Sequence, residues 1–94
     1  MRVISRRRLR EFWIRHPDAE SALRAWFAIA SKAHWGRLLD VQQTYRDAEA
    51  VGELTVFDIK GNRYRLIAKV EYRLQIIFIR SVMTHAEYDR GNWK

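Results

Sequence analysis

The spacing of hydrophobic and polar positions changes period once along the chain. After "RVI" (Arg2–Ile4), which suits a short strand, Ser5 stands where it can cap a helix running to about Arg15. Leu9, Phe12 and Trp13 fall at helical spacing in that helix, and its other face is basic. His16 and Pro17 interrupt it, because proline disfavours a helical residue before it, and Pro17 with Asp18 suits the opening of a second helix. There Ala22, Leu23, Trp26, Ile29, Ala30 and Ala33 recur at i, i+3, i+4 and i+7, which predicts an apolar stripe facing a sheet. His34, Trp35 and Gly36 end it. "RLLDVQQTYRDAEAVG" (Arg37–Gly52) then reads as a short helix or turn before a loop that finishes at Gly52.

From Glu53 the period becomes two. "LTVFDI", the turn "KGN", "RYRLIAKVEY" and "LQIIFIRSVM" predict three successive strands, most simply an antiparallel meander. Gly61 and Asn62 tolerate positive φ and so suit a tight hairpin, and a second turn is expected near Tyr72, Arg73 and Leu74. In the central strand Tyr64, Leu66, Ala68, Val70 and Tyr72 share one face, and Arg63, Arg65, Ile67, Lys69 and Glu71 the other. Two helices followed by a meander imply an α+β layer, with helices covering one side of the sheet and the other side partly open.

Length and composition narrow the picture. The 94 residues make one domain. The chain has no cysteine, and its three histidines, His16, His34 and His85, show no metal-ligand spacing, so neither a disulfide framework nor a bound metal is expected. No stretch has the form of a signal peptide or the length of a membrane span, and a cytoplasmic location is the expectation. The net charge of +7 points to a polyanionic partner, or to a surface serving only solubility. Arginine outnumbers lysine, and its planar fork suits phosphate and bases, which tilts the choice toward nucleic acid. "SRRRLR" (Ser5–Arg10) offers Arg6, Arg7, Arg8 and Arg10 as a solvated helix face that doubles as a phosphate or acidic-partner contact.

Candidate chemistry gathers in the last two strands and beyond. Arg65 and Lys69 share a face of one strand, and Arg80 lies on the strand expected to pair with it. In a simple hairpin register Arg65 and Arg80 lie near each other, next to "THAEYD" (Thr84–Asp89). Such a set suits RNA cleavage in which the ribose 2′-hydroxyl attacks its own neighbouring phosphate. The reaction needs a base, an acid and positive charge over the phosphate. Histidine serves as acid or base near neutral pH, so His85 is the first candidate. Tyr88 can orient or donate a proton, Arg65 and Arg80 can neutralise charge, and Glu87 is a weaker base. The plain alternatives are a histidine at a polar surface and charges that solvate an exposed sheet face. Trp13 and Trp26 belong to apolar stripes, whereas Trp35 and Trp93 either stack on bases or pack.

"VFDIKGNRYRLIAKVEY" and "IFIRSVMTHAEYD", preceded by "HPDAESALRAWF" and "AHW", closely resemble the HigB family of bacterial toxins in the RelE superfamily. The most specific parts are "GNRYRLI" and "THAEYD". The resemblance implies a RelE-like α+β fold in which two N-terminal helices pack on a central antiparallel sheet, the C-terminal meander plus a short N-terminal strand. It also implies an mRNA interferase of a type II toxin–antitoxin pair that cuts messenger RNA on the ribosome, without a cofactor. The implied partner is a HigA-like helix-turn-helix antitoxin, with operator DNA bound only through the complex, and no membrane is involved. Carried residue by residue, the match points to Asn62, Arg63, Arg65, Arg80, His85, Glu87 and Tyr88, with Lys60 and Lys69 as substrate contacts. The runner-up is a noncatalytic basic module that binds RNA or DNA.

Overall fold

The computed structural model describes all residues, Met1–Lys94. A short strand, β1 (Arg2–Ile4), leads into helix α1 (Arg6–Arg15), a 3₁₀ turn (Pro17–Ala19) and helix α2 (Glu20–Lys32). Helix α3 (Leu38–Thr44) follows, then strands β2 (Glu49–Val51), β3 (Leu54–Ile59), β4 (Tyr64–Glu71) and β5 (Ile76–Thr84), and helix α4 (His85–Arg90). The sheet order is β1-β5-β4-β3-β2. The predicted antiparallel meander is β3-β4-β5.

Two features of the sheet differ from the sequence reading. β1 pairs parallel to β5, so the sheet is mixed, and the stretch read as a loop before Gly52 contains edge strand β2, antiparallel to β3. Val51 faces Leu54 across the two-residue turn Gly52-Glu53, in which Gly52 takes φ +60°. A glycine first in a two-residue loop is a hairpin signal, but "EAV" is too short and too polar to announce a strand by alternation.

The alternation in β4 divides the interior. Tyr64, Leu66 and Ala68 join the main core with Leu9, Phe12, Trp13, Leu23, Trp26 and Phe57, under the helices. On the other face Val56, Ile67 and Met83 form a smaller cluster, against which Val51, Leu54, Tyr88 and Trp93 pack. Trp35 belongs to the main core, where Phe57 stacks on it and also meets Trp26 and Tyr45 edge-on. The stripe on α2 is narrower than the periodicity suggests. Leu23, Trp26 and Ala30 are buried, but Ile29 lies off their line and is 43% exposed. Ser5 holds the N-cap position of α1 without a side-chain cap bond; its carbonyl accepts from the Arg8 amide instead.

One polar hub ties the helix layer to the β3–β4 hairpin. Asp18, in the 3₁₀ turn, accepts from the Tyr64 hydroxyl at 2.6 Å, from Arg63 at 2.9 Å and from Lys60 at 3.4 Å. The Tyr64 bond first, then Arg63 and Lys60, hold the Asp18 carboxyl at about 2, below its ordinary 3.8. A folded-state value below the unfolded one gives stability that is present above about pH 4 and is lost as the pH falls toward 2.

Two outcomes follow from this packing. In urea, Phe57→Ala is expected to cost about 3–5 kcal/mol of stability, whereas Ile29→Ala, on the exposed flank of α2, changes it by about 0.5 kcal/mol or less. In thermal melts, wild type is expected to lose stability more steeply between pH 4 and pH 2 than Asp18→Asn; parallel losses in the two proteins would contradict the hub.

Candidate active site

Helix α4 is built by local rules and lies across the sheet face left uncovered by the other helices. Thr84 Oγ1 accepts from the Glu87 amide at 3.2 Å, and the Thr84 amide donates to Glu87 Oε1 at 3.0 Å, a reciprocal capping box. Gly91, at φ +75°, ends the helix. The signal is present in the sequence as Thr84-x-x-Glu87 followed by Gly91. Helical spacing then puts His85, Tyr88 and Asp89 on neighbouring positions of one surface.

His85 is held from two sides. Its Nδ1 lies 2.8 Å from Asp89 Oδ2, and its backbone amide donates to the Arg63 carbonyl at 3.0 Å, so the start of α4 is tied to the end of the hairpin loop. With Nδ1 turned to a carboxylate, Nε2 is the nitrogen available outward. The side chain is 47% exposed.

Tyr88, one turn later, has its ring 5.1 Å from the Arg65 guanidinium. Its hydroxyl donates to Glu49 Oε1 at 3.0 Å, and its other ring neighbour is Trp93, stacked at 4.9 Å and 14°. Burial first, then Glu49, pushes the phenol above its ordinary value, so at neutral pH Tyr88 is protonated and acts as a hydrogen-bond donor.

Arg65 is the partly buried centre of this arrangement, with a side chain 11% exposed. Its Nε lies 3.2 Å from Asp58 Oδ1, and its Nη1 donates to the Asn62 carbonyl at 2.7 Å. Burial raises the Asp58 carboxyl, and the facing Arg65 opposes that rise. Asp58 and Arg65 stand the same number of residues from the two ends of the Lys60–Arg63 loop, and the register pairs them. That symmetry would have found Asp58 in the sequence. Asp89 needed α4 to be recognised, and Glu49 needed β2. Nothing in the sequence linked Asp18 to residues more than forty positions away.

The other candidates are spread around this centre. Glu87 has its carboxylate committed to the cap, and the Thr84 amide holds its pKa below the ordinary value. Lys60 and Arg63 lie at the hairpin tip, bonded to Asp18, while the Asn62 side chain is exposed beside them. Lys69 pairs with Glu71 at 3.2 Å. Along α1, Arg6 lies over Phe27 and Trp13, Arg7 pairs with Glu11, Arg8 donates to the Arg80 carbonyl and Arg10 is exposed.

Arg80 departs from the simple register. Ile67 faces Ser81 and Ala68 faces Ile79, so Arg80 is the extra residue of a β-bulge. The bulge shifts the pairing by one residue, so that Arg65 faces Met83, three positions beyond Arg80. Arg80 instead lines a separate cleft with Leu54 and Trp93. No group of three or more histidine, cysteine or acidic residues is arranged to hold a metal ion, and no helix is long and apolar enough to cross a membrane.

Comparison with known proteins gives one family. The profile of the HigB toxin, described as the RelE-like toxic component of a toxin–antitoxin system, matches residues 19–91. The mRNA interferase toxin HigB of Escherichia coli K12 is 27% identical over 92 residues, which covers 95% of this chain and 88% of that protein. The mRNA interferases HigB of Escherichia coli O157:H7 and of Shigella flexneri match to the same extent. With α2, the β3–β4 hairpin and the closing helix all inside the matched span, the chain belongs to the HigB toxin family, the RelE-like toxic components of toxin–antitoxin systems.

Proposed function

We propose that this protein is a toxin that cuts messenger RNA by 2′-hydroxyl attack on the adjacent phosphate. The observation that carries the site is on α4: Tyr88 stacks on Arg65 at 5.1 Å, and His85, one turn earlier, is fixed by Asp89 at 2.8 Å. The mRNA interferase names of the relatives support the reaction class.

The proposed roles follow from the contacts. His85 Nε2 takes the proton of the 2′-hydroxyl while Asp89 keeps the other nitrogen protonated. The 2′-oxygen forms a bond to phosphorus, the bond from phosphorus to the 5′-oxygen breaks, and that oxygen leaves with a proton, giving a 2′,3′-cyclic phosphate and a 5′-hydroxyl end. Tyr88, kept protonated, is on the donor side of this exchange. Arg65 offsets charge on the phosphate and positions the Tyr88 ring; Asp58 positions Arg65. Because the nucleophile is the 2′-hydroxyl, the substrate is RNA. Glu87 acts through the cap of α4, and Lys60, Asn62, Arg63 and Lys69 are contacts for the strand on either side.

A toxin of this family has an antitoxin. We assign that role to a HigA-like helix-turn-helix protein, with operator DNA bound through the complex, and place cleavage on translating ribosomes in the cytoplasm. Among the exposed arginines of α1, Arg7 and Arg10 are contacts for the antitoxin or for ribosomal phosphates.

Expression of the chain alone is expected to arrest growth, with rescue by its cognate antitoxin, and mapped 5′ ends of messenger RNA should show in-frame cuts. Binding to nucleic acid without new 5′ ends would favour the noncatalytic module. In purified form, His85→Ala and Arg65→Ala are expected to fold, to bind antitoxin and to cleave about a hundredfold more slowly or less. Full cleavage by both variants would remove these roles. Tyr88→Phe keeps the stack on Arg65 and removes only the hydroxyl. A rate loss of about tenfold or more in that variant would assign the donor role, and an unchanged rate would assign Tyr88 to stacking alone.

A further inference from the structure

The cleft beside Arg80 lies outside the arrangement of His85, Tyr88 and Arg65, yet the two are joined by a continuous stack. Arg65 lies on Tyr88, Tyr88 lies on Trp93, and Trp93 forms a wall of the cleft. The indole is fixed, since its Nε1 donates to the Tyr88 carbonyl at 2.9 Å. That bond uses its only donor and Tyr88 covers one face, so what the ring offers a ligand is the π-face turned away from Tyr88, with Lys94 Nζ 5.9 Å from the ring centroid.

The rest of the cleft complements an aromatic, anionic guest. Val51 and Leu54, at the β2–β3 turn, supply apolar surface. Arg80 and Lys94 supply cations against one carboxylate, Glu53. The volume is about 500 Å³, within the range of about 300–1,000 Å³ typical of small-ligand sites. The bulge is what gives the cleft its arginine. As the unpaired residue of β5, Arg80 is exposed, and its carbonyl is held by the Arg8 guanidinium at 3.0 Å, which fixes the strand beneath it.

We propose that this cleft is a nucleotide subsite for single-stranded RNA, in which a base stacks on Trp93 and its phosphate is held by Arg80 and Lys94. The subsite rests on the reading of the protein as an RNA-cutting toxin, and it takes a nucleotide flanking the scissile one. The stack through Tyr88 sets the path of the strand between the two sites. Stacking on an indole face is tolerant of base identity, so the subsite contributes affinity and register more than sequence choice.

Equilibrium binding of a fluorescent, fully 2′-O-methylated RNA oligonucleotide tests this apart from cleavage, because the oligonucleotide lacks the nucleophile. Trp93→Ala is expected to bind about tenfold more weakly, and Trp93→Phe to recover part of the loss. Arg80→Ala is expected to reduce the slope of log K against log salt by about 0.7, the release of one counterion from a single strand, and Arg80→Lys to restore it. Wild-type affinity in Trp93→Ala, or no binding by the wild-type protein, overturns the subsite. If Trp93→Ala does not fold, the Arg80 slope decides, and an unchanged slope overturns it. Should wild type bind with these dependences but fail to cut RNA, the nuclease reading falls and the subsite stands; should it cut while Trp93→Ala binds normally, the reverse holds.

Discussion

The pairing of β5 with β4, and the one-residue slip within it, governs most of what is distinctive in this molecule. From Ile76 to Ile79 the two strands run in plain register, with Ile77 and Ile79 buried under the helices. At Arg80 a residue is left over. Beyond it the register is shifted by one, Val82 turns to the core, Met83 turns to the opposite face, and the strand ends with Thr84 beside Tyr64. Because side chains alternate along a strand, an uncorrected slip would have exchanged the two faces. The bulge absorbs it. It therefore decides where α4 begins, and it leaves Arg65 opposite Met83 with Arg80 as the residue without a partner across the ladder.

What α4 lands on is a sheet face that is neither open nor fully covered. The helices α1 and α2 bury one side, and the other has only Val56, Ile67 and Met83 as apolar ground. A helix of six residues has little stability of its own, and this one is held by its capping box and by contacts of Tyr88 and Trp93 with that ground. The same contacts bury the guanidinium of Arg65. A cation so far withdrawn from water requires partners, and Arg65 has them in Asp58, the Asn62 carbonyl and the Tyr88 ring. Structural support and candidate chemistry are thus the same contacts: the groups proposed to act on phosphate also fasten the closing helix to the sheet.

Electrostatics divides the basic surface into held and free charges. Lys60 and Arg63 share Asp18, Lys69 has Glu71, Arg7 has Glu11 and Arg24 has Glu20. Exposed pairs of this kind contribute little to stability and keep their positive field toward a polyanion only in part. Arg80 and Arg10 are exposed and stand outside these pairs. A net charge of +7 is a property of composition, but the places where it faces outward follow from which carboxylates the fold brings near.

The amino-acid sequence by itself determined the period of each element: the helical stripes of α1 and α2, the alternation in β3, β4 and β5, and therefore the α+β layer with a charged second face. It also held the family pattern in "GNRYRLI" and "THAEYD", and the Thr84–Glu87 box of α4, because these are short-range rules written within a few residues. The tertiary structure alone decided the bulge at Arg80, the parallel seat of β1, the edge strand β2, and the partners Glu49 and Asp18 around the candidate site. Each depends on which residue lies opposite another across a ladder or a layer. Local propensity does not encode that choice; it is made by the packing of two faces of one sheet at once.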